Sequence, residues 1–187
     1  MPVYHALARR AEIPWDRVDV FFSDERAVPP DAPGSNYRMA RESLLDRVAL
    51  PAENIHRMPA DRPDRPEAAA EYDRHLPPAL DVLLLGMGGD GHTASLFPHG
   101  VALTEQERRV VAITGPIPPV ERLTITPAVI VAARAVFVLV TGRDKAATVA
   151  RAIDGADDPM TMPVQFARGG TWLLDDEAAS QLRQTEG

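Results

Sequence analysis

The stretch Asp81–Pro98, DVLLLGMGGDGHTASLFP, constrains the rest of the chain more than any other. It begins with the apolar run Val82-Leu83-Leu84-Leu85. Such a run, bounded by turn residues, suits a strand buried on both faces, as in a parallel sheet. It breaks into Gly86-Met87-Gly88-Gly89-Asp90-Gly91, where glycines let the backbone turn sharply and come close to a ligand. In open α/β sheets, ligands sit outside the carboxyl ends of the strands. Asp90 and His92 therefore fall where chemistry is expected.

The remaining pattern alternates strands with helices. Strands are predicted at Arg17–Ser23, Arg109–Thr114, Arg122–Thr126, Ala135–Thr141 and Thr171–Leu174, with a short extended piece at Asn54–Met58. Helices are predicted at Met1–Ala11, from a Ser35 or Asn36 cap to Val48, and at Glu67–Leu76. Further helices are expected at Pro127–Ala133 and Asp144–Ile153, and from an Asp175 cap to Gln184. This alternation implies an α/β fold, an open, mostly parallel sheet with helices on both faces. At 187 residues it is read as one domain.

Composition narrows the function. A net charge of −7 argues against general nucleic-acid binding and against an anionic membrane surface. No apolar run reaches the roughly 20 residues of a membrane span, and no signal peptide opens the chain, so a cytoplasmic location is expected. With no cysteine, thiol catalysis and thiolate metal sites are excluded. No His-Glu-x-x-His and no dense acidic loop marks a metal site. Of the 20 basic residues only Lys145 is a lysine, which invites a functional reading there.

Four candidate sites lie at strand-to-loop junctions: Ser23-Asp24-Glu25-Arg26; Gly88-Gly89-Asp90-Gly91-His92-Thr93; Arg122 with Thr124 and Thr126; and Thr141-Gly142-Arg143-Asp144-Lys145. His92 is the natural general base, because imidazole exchanges a proton near neutral pH, and Asp90 could orient its ring. His5, His56, His75 and His99 are read as structural. Arg122 and Lys145 suit an anionic group, and a helix starting near Lys145 would add a positive dipole end. Gly86-x-Gly88-x-x-Gly91 matches a dinucleotide loop in spacing alone, since no long helix follows it. Neither a P-loop nor a nucleophile elbow is present.

These residues resemble the 6-phosphogluconolactonase family, within the wider glucosamine-6-phosphate isomerase/deaminase-like fold. The resemblance is carried by VDVFFSDERAVPPDAPGSNYRMARESLL, DVLLLGMGGDGHTASLFP, RLTITPAVIVAA, VFVLVTGRDKA and TWLLDDEAA. It implies hydrolysis of 6-phospho-D-glucono-1,5-lactone with no metal or organic cofactor, by a monomer or weak oligomer. By resemblance, His92 activates water, Asp90 supports it, and Arg26 with nearby backbone amides holds the substrate or oxyanion. Lys145 and Arg122 would anchor the 6-phosphate, with Asp24, Gly89 and Gly91 in the substrate site. The continuation Thr93-Ala94-Ser95-Leu96-Phe97-Pro98 favours the lactonase branch over the deaminase branch. Against the family pattern, a first strand and its Gly-rich loop are expected to be missing before Met1–Tyr4, as in a truncated member. A sugar-phosphate-binding remnant is the non-enzymatic alternative.

Overall fold

The computed structural model describes residues 2–183. The chain opens in helix α1 (Pro2–Leu7) and reaches strand β1 (Val20–Phe21) through a short turn of helix. Strand β2 (Asp24–Arg26) follows almost at once. Helix α2 (Asn36–Ser43), strand β3 (Ile55–His56), helix α3 (Arg65–His75) and strand β4 (Leu83–Gly86) complete the first half. The second half contains β5 (Val110–Thr114), β6 (Glu121–Ile125), α4 (Pro127–Ala132), β7 (Val136–Val140), α5 (Ala146–Asp154), β8 (Thr171–Leu174) and α6 (Asp176–Ala179). The expected helix start at Met1 and end at Gln184 lie outside the described residues.

The α/β architecture predicted from the alternation is present, and parallel pairings predominate. β4 pairs with β7 and β7 with β8, both parallel, and β1 pairs with β3 in the same sense. The order β4-β7-β8 buries Leu83, Leu85, Val138 and Val140, but the run Val82–Leu85 is not buried on both faces as expected: Leu84, Phe137 and Leu139 are half-buried and Val82 is exposed, so burial alternates with the side-chain period of the strand. A feature absent from the sequence reading is an antiparallel sheet of order β2-β6-β5. The sequence pattern predicts Asp24-Glu25-Arg26 as the loop end of a strand. The triplet is itself a strand, with Arg26 directly opposite Arg122 and Asp24 opposite Thr124. Charged residues have little intrinsic strand preference, so it is pairing with the buried β6 that holds this triplet extended.

Local caps fix α2. Ser35 is the N-cap, accepting from the Arg38 N–H and donating its own hydroxyl to Glu25. Glu25 is 3% exposed, yet its carboxylate accepts four hydrogen bonds, from Ser35 Oγ and the N–H groups of Arg26, Asn36 and Tyr37. A buried charge is tolerable only when satisfied in this way. It sits at the positive end of α2 and ties β2 to that helix. Helix α2 ends at Ser43, and a short 3-10 turn (Leu45–Arg47) takes the chain on towards Val48, so the inner face carries Leu44 and Leu45 into the core. Tyr72 reaches from α3 to the end of β1, its hydroxyl accepting from the Phe22 N–H at 2.7 Å. Burial pushes the Tyr72 hydroxyl pKa well above its ordinary value, against a smaller opposing effect of that hydrogen bond, so the group stays neutral. Among the described residues no helix is long and apolar enough to cross a membrane.

Candidate active site

The turn after β4 places the catalytic candidate. Gly88 donates its N–H to the His92 carbonyl at 2.8 Å, and Gly91 donates to the Gly88 carbonyl at 3.0 Å, closing a tight loop. Gly91 has φ of +87°, a left-handed conformation that favours glycine. A Cβ there would also lie 2.1 Å from Met162 Sδ. The Gly91 carbonyl accepts from Val164 at 2.9 Å, and the Gly89 carbonyl from Thr148 Oγ1 at 2.8 Å, so the turn is clamped from outside. Thr93 Oγ1 donates to the Gly86 carbonyl at 2.8 Å and seals its base.

Within this frame Asp90 Oδ1 lies 2.6 Å from His92 Nδ1 and also accepts the His92 backbone N–H at 3.1 Å. Partial burial opposes the charge on Asp90. The two hydrogen bonds from His92 and its ring's proximity outweigh that, and hold the carboxyl below its ordinary pKa. An ionised carboxylate can only accept. Nδ1 therefore carries the proton, and in the neutral ring Nε2 keeps its lone pair. The imidazole also packs on Phe97, with ring centroids 4.7 Å apart.

Lys145 approaches the same turn. Its ammonium stands 3.4 Å from the position a Cβ on Gly89 would occupy, and 3.3 Å from Asp144. The expected helix begins as a 3-10 turn at Arg143–Lys145 and continues as α5. Gly142, with φ of +93°, donates its N–H to both Asp175 oxygens at 3.0 Å, which joins this strand end to the cap of α6.

The second half of the site comes from β2 and β6. Arg26 and Arg122 face one another across the pair, an arrangement of like charges that costs stability unless an anion intervenes. Asp24 supplies part of that compensation, 3.9 Å from Arg122. Asp24 itself is held by Asn36 Nδ2 at 2.9 Å and Ser95 Oγ at 2.6 Å. Arg122 is 6% exposed and donates to the carbonyls of Pro119 and Ile117 and to Ser95 Oγ. Burial presses its pKa below the ordinary value, Asp24 raises it, and Arg26 lowers it further. Arg26 donates to the Gly34 carbonyl at 2.7 Å, but its Nε–H is buried without a partner. Such an orphan donor costs about 1–3 kcal/mol.

The sequence-predicted residues thus fall into two groups. Asp90, His92, Gly89 and Gly91 belong to the β4 turn and Lys145 approaches it from the 3-10 turn before α5, while Asp24, Arg26 and Arg122 form one cross-strand cluster. Ser95 joins them, because it lies on the His92 segment and bonds both Asp24 and Arg122. Phe97 also joins them, since the Arg122 guanidinium lies 5.4 Å from its ring centroid. The sequence reading gave neither Ser95 nor Phe97 a site role. Their only signal was membership of the conspicuous Gly-rich stretch. Among the described residues no group of three His, Asp or Glu side chains is placed to hold a metal ion. A 300 Å³ cleft borders Ser95 and Phe97, and a 510 Å³ hollow lies by His5, Arg38 and Glu42. Neither is lined by His92, Asp90 or Lys145.

A parallel sheet ending in a carboxylate-oriented imidazole, with a lysine and an arginine pair alongside, defines an α/β protein equipped for acid–base chemistry on an anion. The family described as glucosamine-6-phosphate isomerases/6-phosphogluconolactonase matches residues 1–174, and the chain belongs to that family. A 6-phosphogluconolactonase from Nostoc sp. is 41% identical over 97% of this chain and 80% of its own length. The crystal structure of a 6-phosphogluconolactonase from Thermotoga maritima superposes with a TM-score of 0.82 at 32% identity, covering 92% of this chain and 79% of that one. A monomeric glucosamine-6-phosphate deaminase superposes with a TM-score of 0.85 over 96% of this chain and 82% of that one. At 20% identity that likeness shows the fold alone.

Proposed function

We propose that this chain hydrolyses 6-phospho-D-glucono-1,5-lactone to 6-phospho-D-gluconate, a step of the oxidative pentose phosphate pathway. The observation that carries the reading is the 2.6 Å Asp90–His92 contact, which leaves Nε2 as the proton acceptor. In this reading Nε2 takes a proton from water as the water oxygen bonds to the lactone carbonyl carbon. The tetrahedral intermediate then breaks its bond to the ring oxygen, and the proton on Nε2 passes to that leaving oxygen. Asp90 stabilises the imidazolium between the two transfers. Arg26 faces the developing oxyanion, where a preorganised cation acts most strongly. Lys145 and the Gly89 backbone N–H receive the phosphate, while Gly91, expected beside them, shapes the turn instead, because its N–H is already given to the Gly88 carbonyl. Arg122 has five N–H groups and gives one each to Pro119, Ile117 and Ser95, so two remain for the substrate anion. Asp24 positions this guanidinium.

The lactonase reading is supported over the deaminase reading by the continuation Thr93-Ala94-Ser95-Leu96-Phe97-Pro98 and by the names of the relatives near 40% identity. The net charge of −7 fits a small-molecule substrate rather than nucleic acid or an anionic membrane. We place the enzyme in the cytoplasm as one catalytic domain, a monomer or weak oligomer.

The test is a pH-stat assay with freshly prepared lactone, corrected for spontaneous opening. Acceleration that disappears in His92→Ala is expected. Full activity in a folded His92→Ala variant would overturn the mechanism. Ammonia release from glucosamine 6-phosphate would overturn the assignment.

A further inference from the structure

We infer that Phe97 is a positioning residue that sets the plane of the His92 imidazole. This rests on the proposed lactone hydrolysis. Asp90 holds the imidazole at one atom, Nδ1. With the ring also tethered through Cβ–Cγ, this bond leaves a residual swing that packing must limit. The flat face that limits that swing is Phe97, whose ring centroid is 4.7 Å from that of His92 at an interplanar angle of 43°. The Phe97 side chain is itself held. It is 6% exposed, and the Arg122 guanidinium lies over its ring at 5.4 Å. Gly115, in the β5–β6 connection, has no Cβ; one would come within 2.7 Å of Phe97 Cε2 and 3.3 Å of Cζ. The ring is thus lodged among the general base, a buried cation and a glycine-lined wall.

The two neighbours of Phe97 depend on it unequally. Arg122 keeps its bonds to Pro119, Ile117 and Ser95 whatever occupies position 97. His92 keeps the Asp90 bond and the Gly88 backbone beside Nδ1 and Cε1, but loses the aromatic face packed on its ring. Disturbing Phe97 should therefore change turnover and spare the binding of the phosphorylated substrate.

Two variants approach the ring from opposite directions. Phe97→Leu removes the flat face while keeping an apolar side chain. Gly115→Ala leaves Phe97 in place and pushes it inward, and Gly115 lies outside the left-handed region, so its backbone accepts alanine. Each variant should lower kcat about tenfold or more with KM within about threefold of the parent, because misplacement of a reacting group acts on the transition state. The double variant should match Phe97→Leu alone, since leucine relieves the clash with the new methyl group. Independently of activity, the nuclear Overhauser contacts between the His92 ring protons, assigned by their loss in His92→Ala, and the Gly88 α-protons should change in both variants, because the ring lies against Gly88. Folded variants with unchanged kcat and unchanged contacts would overturn the inference, and so would a rise in KM at constant kcat. If Phe97→Leu fails to fold, Gly115→Ala carries the same test alone. A parent enzyme without lactonase activity would overturn the proposed function, while the Overhauser contacts would still report on the positioning.

Discussion

Replacing Gly88 with alanine adds one methyl group next to the Asp90–His92 pair and removes nothing. The new Cβ would lie 2.1 Å from His92 Nδ1, 2.2 Å from Cε1 and 2.8 Å from Asp90 Oδ1. Ordinary contact begins near 3.4 Å, so the imidazole must retreat by about 1.3 Å, the difference between 3.4 and 2.1. The His92 ring can make that move, because it sits partly in solvent at 24% side-chain exposure. Gly88 lies outside the left-handed region, so its backbone tolerates alanine, and such a change in a loop costs the fold little or stabilises it by about 0.4–1 kcal/mol. A displacement of about 1 Å at a reacting group can cost on the order of 10²-fold in rate, or about 2.7 kcal/mol of barrier. The expected outcome is a kcat about 10²-fold lower with a melting temperature lowered no more than in Asp90→Asn, since both lose the same hydrogen bond. Initial rates of acid release from fresh lactone and a thermal melt on the same preparation make the comparison. Parental kcat in Gly88→Ala would refute the reasoning, since it would mean that the Asp90–His92 geometry is not what the reaction uses.

Further outcomes are expected at Asp90, Lys145 and Gly91. Asp90→Asn should lower kcat by about 10²-fold or more, because an amide neither fixes the Nδ1 proton nor stabilises the imidazolium. Asp90 has its pKa held below the ordinary value near 3.9, so its stabilising contribution is complete above about pH 4 and is lost as pH falls through the folded pKa. The melting-temperature gap between parent and Asp90→Asn should accordingly narrow on acidification from pH 6 to pH 3, and a gap independent of pH would contradict it. Lys145→Ala should raise KM for the phosphorylated lactone about tenfold or more and leave hydrolysis of an unphosphorylated gluconolactone unaffected; equal losses on both substrates would remove Lys145 from the phosphate site. Gly91→Ala should destabilise by about 1–2 kcal/mol through left-handed strain and by about 1–3 kcal/mol through the clash with Met162, read by denaturant melts. Pairing it with Met162→Ala should give less than the summed loss.

Much of this site is a matter of short-range chemistry. Asp90 and His92 are two residues apart, and a tight glycine turn brings their side chains together whatever the rest of the chain does. The strand at Leu83–Gly86, a helix cap at Ser35 or Asn36 and the glycine-rich turn are likewise legible from composition and spacing, because each answers to a local steric or hydrogen-bonding demand. The amino-acid sequence by itself therefore determined the strand, its turn and the Asp90–His92 pair at its end. Tertiary structure decided the other half. Ser95 meets Asp24 across 71 positions of chain, and Arg26 faces Arg122 through an antiparallel register. No periodicity within Asp24-Glu25-Arg26 announces a strand, since its extended state comes from the partner it pairs with. Phe97 reads as one apolar residue among many until packing sets it against His92, Arg122 and Gly115. Register and packing depend on the partner surface, and a linear pattern carries no record of which surface that will be.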